Sequence, residues 1–360
     1  MQNRHVSYGR IMLLKVHYLN NGLLNTTTGI ASIKSGQNMQ ILELPCRRMG
    51  KVIRIVYKPA GIVTALVTPF RADNEDIDFK LLKSIIDFQC DCGIDGIFVS
   101  GSTAEAYAME PEEKRELLQA TVEYVAGRSA VYFGAGGSST RQTCALVRMA
   151  EEEKADAVSV INPYFVVPSQ NELVSYYTDV ANSTSLPIVL YNHPLRTQVN
   201  ISGDTVGKLS RIKNIVGIKD SSANVNNAMD YLAKMAPDFR VMSGNDSLIV
   251  TLLDLDGAGA VSASANFVPK LVKNIYTTYK NGHRREAIRL QKLLFNIRKV
   301  FTLGTYPVMI KEACRLMGMD MGVCRKPLAG LNQQDLQTLR QALSAAGEFG
   351  NGDISQSRKG

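Results

Sequence analysis

Residues 94–135 read IDGIFVSGSTAEAYAMEPEEKRELLQATVEYVAGRSAVYFGA, a segment that predicts a strand, a helix and a second strand. The runs at 94–100 and 129–135 are short, apolar and rich in β-branched and aromatic residues, which is typical of strands. Pro111 and the two glutamates after it are a helix-start signal, and they predict a helix over 111–126. This segment therefore forms one strand-helix-strand unit.

The same alternation continues from Ala60 almost to the end of the chain. A second amphipathic helix is predicted over 139–154, where Ser139 and Thr140 open it. Eight strand-helix units fit a closed α/β fold, the (β/α)8 TIM barrel, better than a doubly wound open sheet. The predicted strands are 61–67, 94–100, 129–135, 156–161, 187–191, 215–219, 239–243 and 259–263.

Three helical patterns without an intervening strand follow the eighth unit, and they predict a C-terminal helical appendage. Their apolar faces indicate packing against the barrel or a neighbouring subunit. The appendage helices are predicted over 285–301, 306–317 and 332–346. The predicted organisation is a leader over 1–59, the barrel over 60–282, the helical region over 283–348 and a polar tail over 349–360.

The net charge of +8 belongs to the leader, which holds nine basic residues against the single acid Glu43. Residues 60–360 carry 32 basic and 32 acidic residues, so the sequence predicts no nucleic-acid partner for the main domain. A nucleic-acid binder recruited through the leader is the less favoured alternative. The basic residues of the leader are Arg4, Arg10, Lys15, Lys34, Arg47, Arg48, Lys51, Arg54 and Lys58.

The leader shows no sustained period of 2 or 3.6, and it is predicted to be disordered or not translated, with Met49 as the alternative start. An organelle transit peptide is the less favoured reading. No run of about eighteen uncharged apolar residues occurs, so no membrane partner is predicted. The six cysteines contain no C-x-x-C pair, which predicts no metal site and a reducing, cytoplasmic location.

In a barrel of this kind the active residues lie at the carboxyl ends of the strands, and Lys219 is the most informative of them. Strand alternation predicts that Ile215, Gly217 and Lys219 share one face while Val216 and Ile218 share the other. If the first face points inward, the amine enters the barrel, loses hydration and can form a Schiff base with a ketone. The alternative is a strand-end lysine that reaches solvent.

Four further strand-end residues have side chains suited to the same chemistry. Tyr191 could shuttle a proton, and Ser102 and Thr103 could hold a carboxylate through hydroxyls and backbone N–H groups. Arg196 could clamp a second carboxylate bidentately. Each also has an ordinary structural alternative: packing for the tyrosine, a turn for the hydroxyls and a surface ion pair for the arginine.

Four motifs, in order and at familiar separations, resemble those of the dihydrodipicolinate synthase and N-acetylneuraminate lyase family of class I, pyruvate-handling aldolases. They are Thr-Pro-Phe at 68–70, Gly-Ser-Thr-x-Glu at 101–105, Tyr-Asn-x-Pro at 191–194 and Gly-Ile-Lys-Asp at 217–220. The resemblance covers about residues 60–330. It implies a barrel with a three-helix appendage, a homo-oligomer of two or four subunits, and no metal or organic cofactor.

The resemblance also implies roles for the strand-end residues. Lys219 would form an imine with pyruvate, Tyr191 would shuttle the proton, and Ser102 would link that proton to solvent. Ser102 and Thr103 would together grip the pyruvate carboxylate. The positions that match the lining of the substrate pocket are Gly244, Asn245 and Val261.

The Arg196-Thr197 pair resembles the synthase branch, whose arginine receives the carboxylate of aspartate semialdehyde, and it implies condensation of that aldehyde with pyruvate in lysine biosynthesis. A 2-oxo-sugar-acid aldolase or dehydratase, of the 2-keto-3-deoxygluconate or N-acetylneuraminate lyase type, is the alternative. Phe165 stands where most members place a tyrosine lent by a neighbouring subunit, and a phenyl ring cannot carry a proton. An inactive barrel that binds a 2-oxo acid therefore stays open as a third reading.

Overall fold

The computed structural model describes residues 11–20, 23–32 and 57–344. Strands β3 to β10 are parallel and close into a barrel in chain order, because β10 pairs with β3. The barrel strands are β3 (Gly61–Ala65), β4 (Gly96–Val99), β5 (Ala130–Ala135), β6 (Ala157–Ile161), β7 (Ile188–Asn192), β8 (Ile215–Asp220), β9 (Arg240–Ser243) and β10 (Gly259–Ser262). The predicted (β/α)8 barrel is confirmed.

Every barrel strand is followed by a helix, and side-chain caps fix where several of these helices begin. Asp78 accepts a hydrogen bond from the Leu81 N–H at the start of α1, and Ser169 and Glu172 form a reciprocal capping box at the start of α4. The barrel helices are α1 (Phe79–Asp91), α2 (Pro111–Val125), α3 (Thr140–Glu152), α4 (Gln170–Asn182), α5 (Pro194–Thr197), α6 (Gly203–Leu209), α7 (Val225–Lys234), α8 (Ile249–Asp254) and α9 (Pro269–Lys280).

Three helices follow the barrel, as the sequence predicts. Leu290, Leu294 and Ile297 of the first of them are buried in the shell of apolar side chains that surrounds the barrel. The segment between the first two helices contains Tyr306, and it returns to the carboxyl ends of the strands, where Tyr306 contacts Thr103. The three helices are α10 (Arg284–Arg298), α11 (Val308–Leu316) and α12 (Gln333–Ser344).

The apolar core has two parts, one between the strands and the helices and one inside the barrel. Residues from all eight strands fill the interior, and Tyr57 joins them from the amino-terminal side, where its hydroxyl contacts that of Tyr132 at 2.5 Å. Tyr57 is thus part of the barrel interior, although the sequence analysis places it in the leader. The strand residues of the interior cluster are Val63, Ala65, Phe98, Tyr132, Ala157, Val189, Val216, Met242 and Val261.

Strand β8 contains a bulge that changes the predicted face of two residues. Ile188 of β7 pairs with Ile215, but the next residue, Val189, pairs with Gly217, so Val216 is the extra residue. As a result Val216 belongs to the interior cluster and Ile215 to the outer one. The prediction that Ile215 shares the face of Lys219 and that Val216 does not is wrong, because period-2 alternation assumes an unbroken strand.

The described part of the leader contains a hairpin, which its sequence pattern does not predict. Strands β1 (Ile11–Asn20) and β2 (Leu23–Ser32) pair along their full length in antiparallel register. The proposed start at Met49 and the polar tail over 349–360 lie outside the described residues. Among the residues that the structure describes, no helix combines the length and the apolar character that a bilayer span requires.

Candidate active site

A cavity of about 190 Å³ lies at the carboxyl ends of the barrel strands. Its walls come from the loop after β4, the ends of β5, β6 and β7, and the short helix α5. Ser102, Tyr191 and Arg196, three of the residues selected from the sequence, line it together. The remaining lining residues are Phe98, Ser100, Gly101, Ala106, Tyr107, Lys114, Gly134, Ala135, Gly136, Leu146, Ser159, Ile161, Tyr164 and Thr197.

Lys219 enters the barrel interior next to this cavity, and its side chain is only 4% exposed. The amine Nζ lies 3.9 Å from the centre of the Tyr191 ring and 4.9 Å from the centre of the Phe98 ring. Both rings line the cavity. The amine therefore lies against two walls of the cavity and away from bulk water, and attraction to the two ring faces holds it there.

Gly217 makes this position of Lys219 possible. A Cβ at Gly217 would lie 2.7 Å from the Arg240 carbonyl oxygen of β9 and 3.1 Å from Cγ of Pro59. A side chain of any size would push β8 away from its neighbour. The bulge at Val216 and the glycine after it thus set the register that brings Lys219 level with Tyr191, its pairing partner on β7.

Ser102 and Thr103 lie in a tight loop whose two ends have left-handed backbone conformations. Ser100 has φ 56° and Glu105 has φ 59°, a region that side-chain-bearing residues seldom adopt. Glu105 is fully buried and forms an ion pair with Lys311 of α11, with 2.8 Å between Oε1 and Nζ. The other carboxylate oxygen accepts a hydrogen bond from the Arg325 N–H. The C-terminal region therefore holds the loop in its strained shape.

Thr103 makes a second contact with the C-terminal region. Its hydroxyl forms a 2.6 Å hydrogen bond with the hydroxyl of Tyr306. Burial raises the pKa of Tyr306, so its phenol stays protonated at neutral pH. Tyr306 is not among the predicted site residues, because it belongs to the predicted appendage and not to a strand end.

Arg196 is exposed at the mouth of the cavity, on α5. Its guanidinium lies 5.8 Å from the centre of the Tyr306 ring, within the range of a cation–π contact. The neighbouring Thr197 is buried and donates a hydrogen bond to the His193 carbonyl, which closes the turn that carries the arginine. In the described residues Arg196 forms no ion pair, so its charge is available to an anion.

The structure places the other three predicted pocket residues on the opposite side of the barrel mouth. Gly244 and Asn245 follow β9, and Val261 lies on β10 in the interior cluster with Val63. None of the three lines the cavity described above. The Asn245 side chain already accepts a hydrogen bond from the Ser247 N–H. Their assignment to the substrate pocket stays a prediction.

Two hydroxyls without a hydrogen-bond partner among the described residues are directed to the same cavity. Ser100 Oγ and Ser159 Oγ are buried, and both residues line it. A buried polar atom without a partner costs free energy, about 1–3 kcal/mol, unless water or a ligand satisfies it. The cavity thus has unused hydrogen-bonding capacity next to Tyr191.

Phe165 lies outside the cavity, with 97% of its side chain exposed and φ at 75°. Two neighbours, Val166 and Val167, are also exposed apolar residues. Tyr164, which lines the cavity, connects this apolar patch to the site. Phe165 does not line the cavity, and its phenyl ring has no proton to exchange with Lys219 or Tyr191.

His193 is a further titratable residue next to Tyr191, at the variable position of the Tyr-Asn-x-Pro motif, and it is not among the predicted site residues. Its ring centroid lies 5.8 Å from that of Tyr191, and its Nδ1 is buried without a hydrogen-bond partner in the described residues. Burial, followed by the positive charges of Lys219 and Arg196, lowers the pKa of His193 to about 4. The imidazole is therefore neutral at pH 7 and is a potential hydrogen-bond partner for a ligand.

The depressed pKa of His193 predicts an acid-sensitive contribution to stability. An unfolded histidine takes up a proton near pH 6.5, whereas the folded one resists protonation down to about pH 4. Stability is lost as pH falls from 6.5 towards 4, by about 2 kcal/mol at pH 5. In the His193→Gln variant we expect the fall in unfolding free energy between pH 7 and pH 5, measured by urea denaturation, to be smaller by about that amount. An identical fall in both proteins would contradict this assignment.

Together these groups can perform imine chemistry on a small oxo acid. The buried amine of Lys219 is the nucleophile, and the Tyr191 phenol beside it can donate and accept a proton. Hydroxyls and the Arg196 guanidinium can hold carboxylates. The five cysteines in the described residues are free thiols.

Comparison with known proteins agrees with this chemistry. A family model described as the dihydrodipicolinate synthetase family matches residues 58–346. A curated 4-hydroxy-tetrahydrodipicolinate synthase of Acetivibrio thermocellus is 36% identical over 292 residues, which cover 81% of this chain and 98% of that protein. The matched region is the barrel with its C-terminal helices.

Solved structures agree as well. The crystal structure of dihydrodipicolinate synthase from Aquifex aeolicus superposes with a TM-score of 0.78 at 33% identity, and covers 81% of this chain and 100% of that chain. A prophage protein of the dihydrodipicolinic acid synthase family from E. coli K12, solved in complex with pyruvate, gives a TM-score of 0.78 at 30% identity, covering 81% of this chain and 99% of that chain. The likeness extends over nearly the whole of each relative.

Proposed function

The chain belongs to the dihydrodipicolinate synthetase family, and we propose that it is a 4-hydroxy-tetrahydrodipicolinate synthase that condenses pyruvate with aspartate semialdehyde. It is an enzyme of the class I, Schiff-base type. The observation that carries the proposal is the placement of Lys219 Nζ inside the barrel, 3.9 Å from the Tyr191 ring and against the wall of the cavity.

The first half of the reaction forms an imine on Lys219. The amine attacks the ketone carbon of pyruvate, the resulting carbinolamine loses water, and a carbon–nitrogen double bond remains. Tyr191 delivers the proton that the departing hydroxyl needs and recovers one from the amine, while Ser102 passes protons between this phenol and solvent. Ser102 and Thr103 hold the pyruvate carboxylate beside the amine.

The second half uses the imine as an electron sink. Loss of a proton from the methyl carbon gives an enamine, whose carbon attacks the aldehyde carbon of the second substrate, and the aldehyde oxygen takes up a proton. The amino group of that substrate then displaces Lys219 from the imine carbon, which closes a ring and frees the enzyme. The chain's own side chains supply every group in this sequence, so the proposal includes no cofactor.

Arg196 favours aspartate semialdehyde over a sugar acid as the second substrate. The guanidinium lies at the mouth of the same cavity, without an ion pair in the described residues, and a bidentate contact with a carboxylate fits its geometry. A sugar acid cleaved at this site would present hydroxyls there instead. The Arg196 guanidinium would then bind the ligand less strongly, because hydroxyls carry no charge to pair with it.

We also propose a homo-oligomer, of two or four subunits, in the cytoplasm. The exposed apolar patch around Phe165 adjoins the cavity, and a second copy of the chain would withdraw it from water. Free thiols at five described cysteines fit a reducing compartment. The predicted lack of nucleic-acid and membrane partners stays a prediction. Other exposed apolar residues at this end of the barrel are Tyr107, Tyr164 and Leu195.

Two measurements on the purified full chain test this function. Borohydride reduction in the presence of pyruvate is expected to add one reduced pyruvate to the peptide that contains Lys219, as mass spectrometry would show. Steady-state assays are expected to show consumption of pyruvate only when aspartate semialdehyde is present.

The outcomes separate the three readings of the sequence. Turnover of 2-keto-3-deoxygluconate or N-acetylneuraminate, without turnover of aspartate semialdehyde, would replace the synthase by a sugar-acid aldolase. An adduct without turnover of any of these substrates would indicate a barrel that only binds 2-oxo acids. Failure to form an adduct would exclude imine chemistry.

A further inference from the structure

Tyr306 contacts the proposed binding groups for both carboxylates. Its hydroxyl forms the 2.6 Å hydrogen bond with Thr103, and its ring lies 5.8 Å below the Arg196 guanidinium. Thr103 belongs to the loop after β4 and Arg196 to α5 after β7, so the two groups come from different parts of the barrel mouth. Tyr306 comes from a third element, the segment between α10 and α11.

The hydroxyl and the ring of Tyr306 make different contacts. The hydroxyl bonds to Thr103, the ring lies under Arg196, and the residue as a whole is half-buried. Burial raises the pKa of Tyr306, and this effect exceeds the opposing one of the hydrogen bond with Thr103. The phenol therefore remains an uncharged hydrogen-bond donor and acceptor throughout the neutral pH range.

A second contact fixes the segment that carries Tyr306. Lys311, five residues later, forms the buried ion pair with Glu105, two residues after Thr103. The C-terminal region thus touches the same short loop at two points, one through a neutral hydrogen bond and one through charges. Because the loop backbone is strained at both of its ends, these contacts decide where the Thr103 hydroxyl is directed.

We propose that Tyr306 is a positioning residue for both substrates. Its phenol orients Thr103 towards the carboxylate of the 2-oxo acid, and its ring supports Arg196 under the carboxylate of the second substrate. The inference rests on the proposed function, since it assigns Thr103 and Arg196 to the two ligands. It gives the C-terminal appendage a role in the active site as well as in packing.

Two variants separate the hydroxyl from the ring. Tyr306→Phe removes only the phenol oxygen, so the half-saturating pyruvate concentration, in borohydride trapping and in turnover, is expected to rise about tenfold. The KM for aspartate semialdehyde is expected to stay within about twofold. Tyr306→Leu removes both the hydroxyl and the ring. We expect the same rise in the pyruvate requirement and, besides it, a rise of about fivefold in the KM for the semialdehyde.

A double variant shows whether the phenol acts through Thr103. In the Thr103→Val background, Tyr306→Phe is expected to change the pyruvate requirement by less than about twofold, because its hydrogen-bond partner is already absent. Tyr279→Phe is the matched control, since Tyr279 donates a similar hydrogen bond to Asp254 far from the cavity. Both constants are expected to be unchanged in that control.

The results that would overturn the inference differ from those that would overturn the function. If Tyr306→Phe leaves the pyruvate requirement unchanged, or raises both constants by the same factor, Tyr306 does not position Thr103. Additive effects in the Thr103→Val background would also contradict the proposed route. Absence of any pyruvate adduct on the unaltered protein would overturn the proposed function, and this inference with it.

Discussion

Replacement of Lys219 by alanine is expected to abolish the pyruvate adduct and to lower kcat by more than about a thousandfold. The imine needs a primary amine, and Lys219 provides the one that contacts the Tyr191 and Phe98 rings of the cavity wall. Without a covalent electron sink, the methyl carbon of pyruvate is far too weak an acid to lose its proton to a side chain. Mass spectrometry after borohydride reduction and steady-state kinetics measure the two effects.

Two further variants make the Lys219 result specific. Lys219→Arg keeps a positive charge between the rings but cannot form the imine, so it is expected to be as inactive as the alanine variant. Lys208→Ala removes an exposed lysine of α6 and is expected to retain the adduct and the rate. An adduct of normal yield on the Lys219→Ala protein would assign the chemistry to a different amine.

Replacement of Lys311 by methionine is expected to lower the free energy of unfolding by about 3–5 kcal/mol. The change leaves Glu105 fully buried and without its cation. It also removes the amine from the face of the Phe70 ring, 4.8 Å from its centre, and from the Val323 carbonyl. Because Glu105 ends the loop that carries Ser102 and Thr103, we expect a higher KM for pyruvate in the protein that remains folded.

The source of the Lys311 effect can be identified with a second change. Glu105→Gln combined with Lys311→Met removes both charges and is expected to be more stable than Lys311→Met alone, since no unpaired charge remains buried. Lys83→Met breaks an exposed ion pair with Asp87 and is expected to cost less than about 1 kcal/mol. If urea denaturation showed equal losses for Lys311→Met and Lys83→Met, the buried pair would not secure the loop.

The sequence was sufficient to predict the barrel because the information lies in local periodicity. Short apolar runs separated by amphipathic helices can bury both faces of a parallel sheet in few ways, and eight such units favour closure. The strand-end rule then placed Ser102, Tyr191, Arg196 and Lys219 in one region, and the structure brings the first three to one cavity with Lys219 against its wall. These predictions needed no knowledge of contacts between distant elements.

The face of strand β8 shows where local periodicity fails. Alternation correctly separates Lys219 from Ile218, but Val216 and Ile215 exchange faces because the bulge inserts one residue before Gly217. The bulge depends on how β7 pairs with β8. Pairing is a property of two strands, and neither strand's own sequence shows it.

The order of apolar and polar residues was enough to determine that this chain forms a barrel with its reactive groups at one rim. The buried face of each strand and helix is set by about twenty residues of local sequence. Only the tertiary structure decided which groups meet there. Tyr306 reaches Thr103 across 203 positions, and Lys311 reaches Glu105 across a similar distance, because the C-terminal helices fold back over the rim. Contacts between residues so far apart in sequence depend on how the whole chain packs, and no local sequence pattern records that packing.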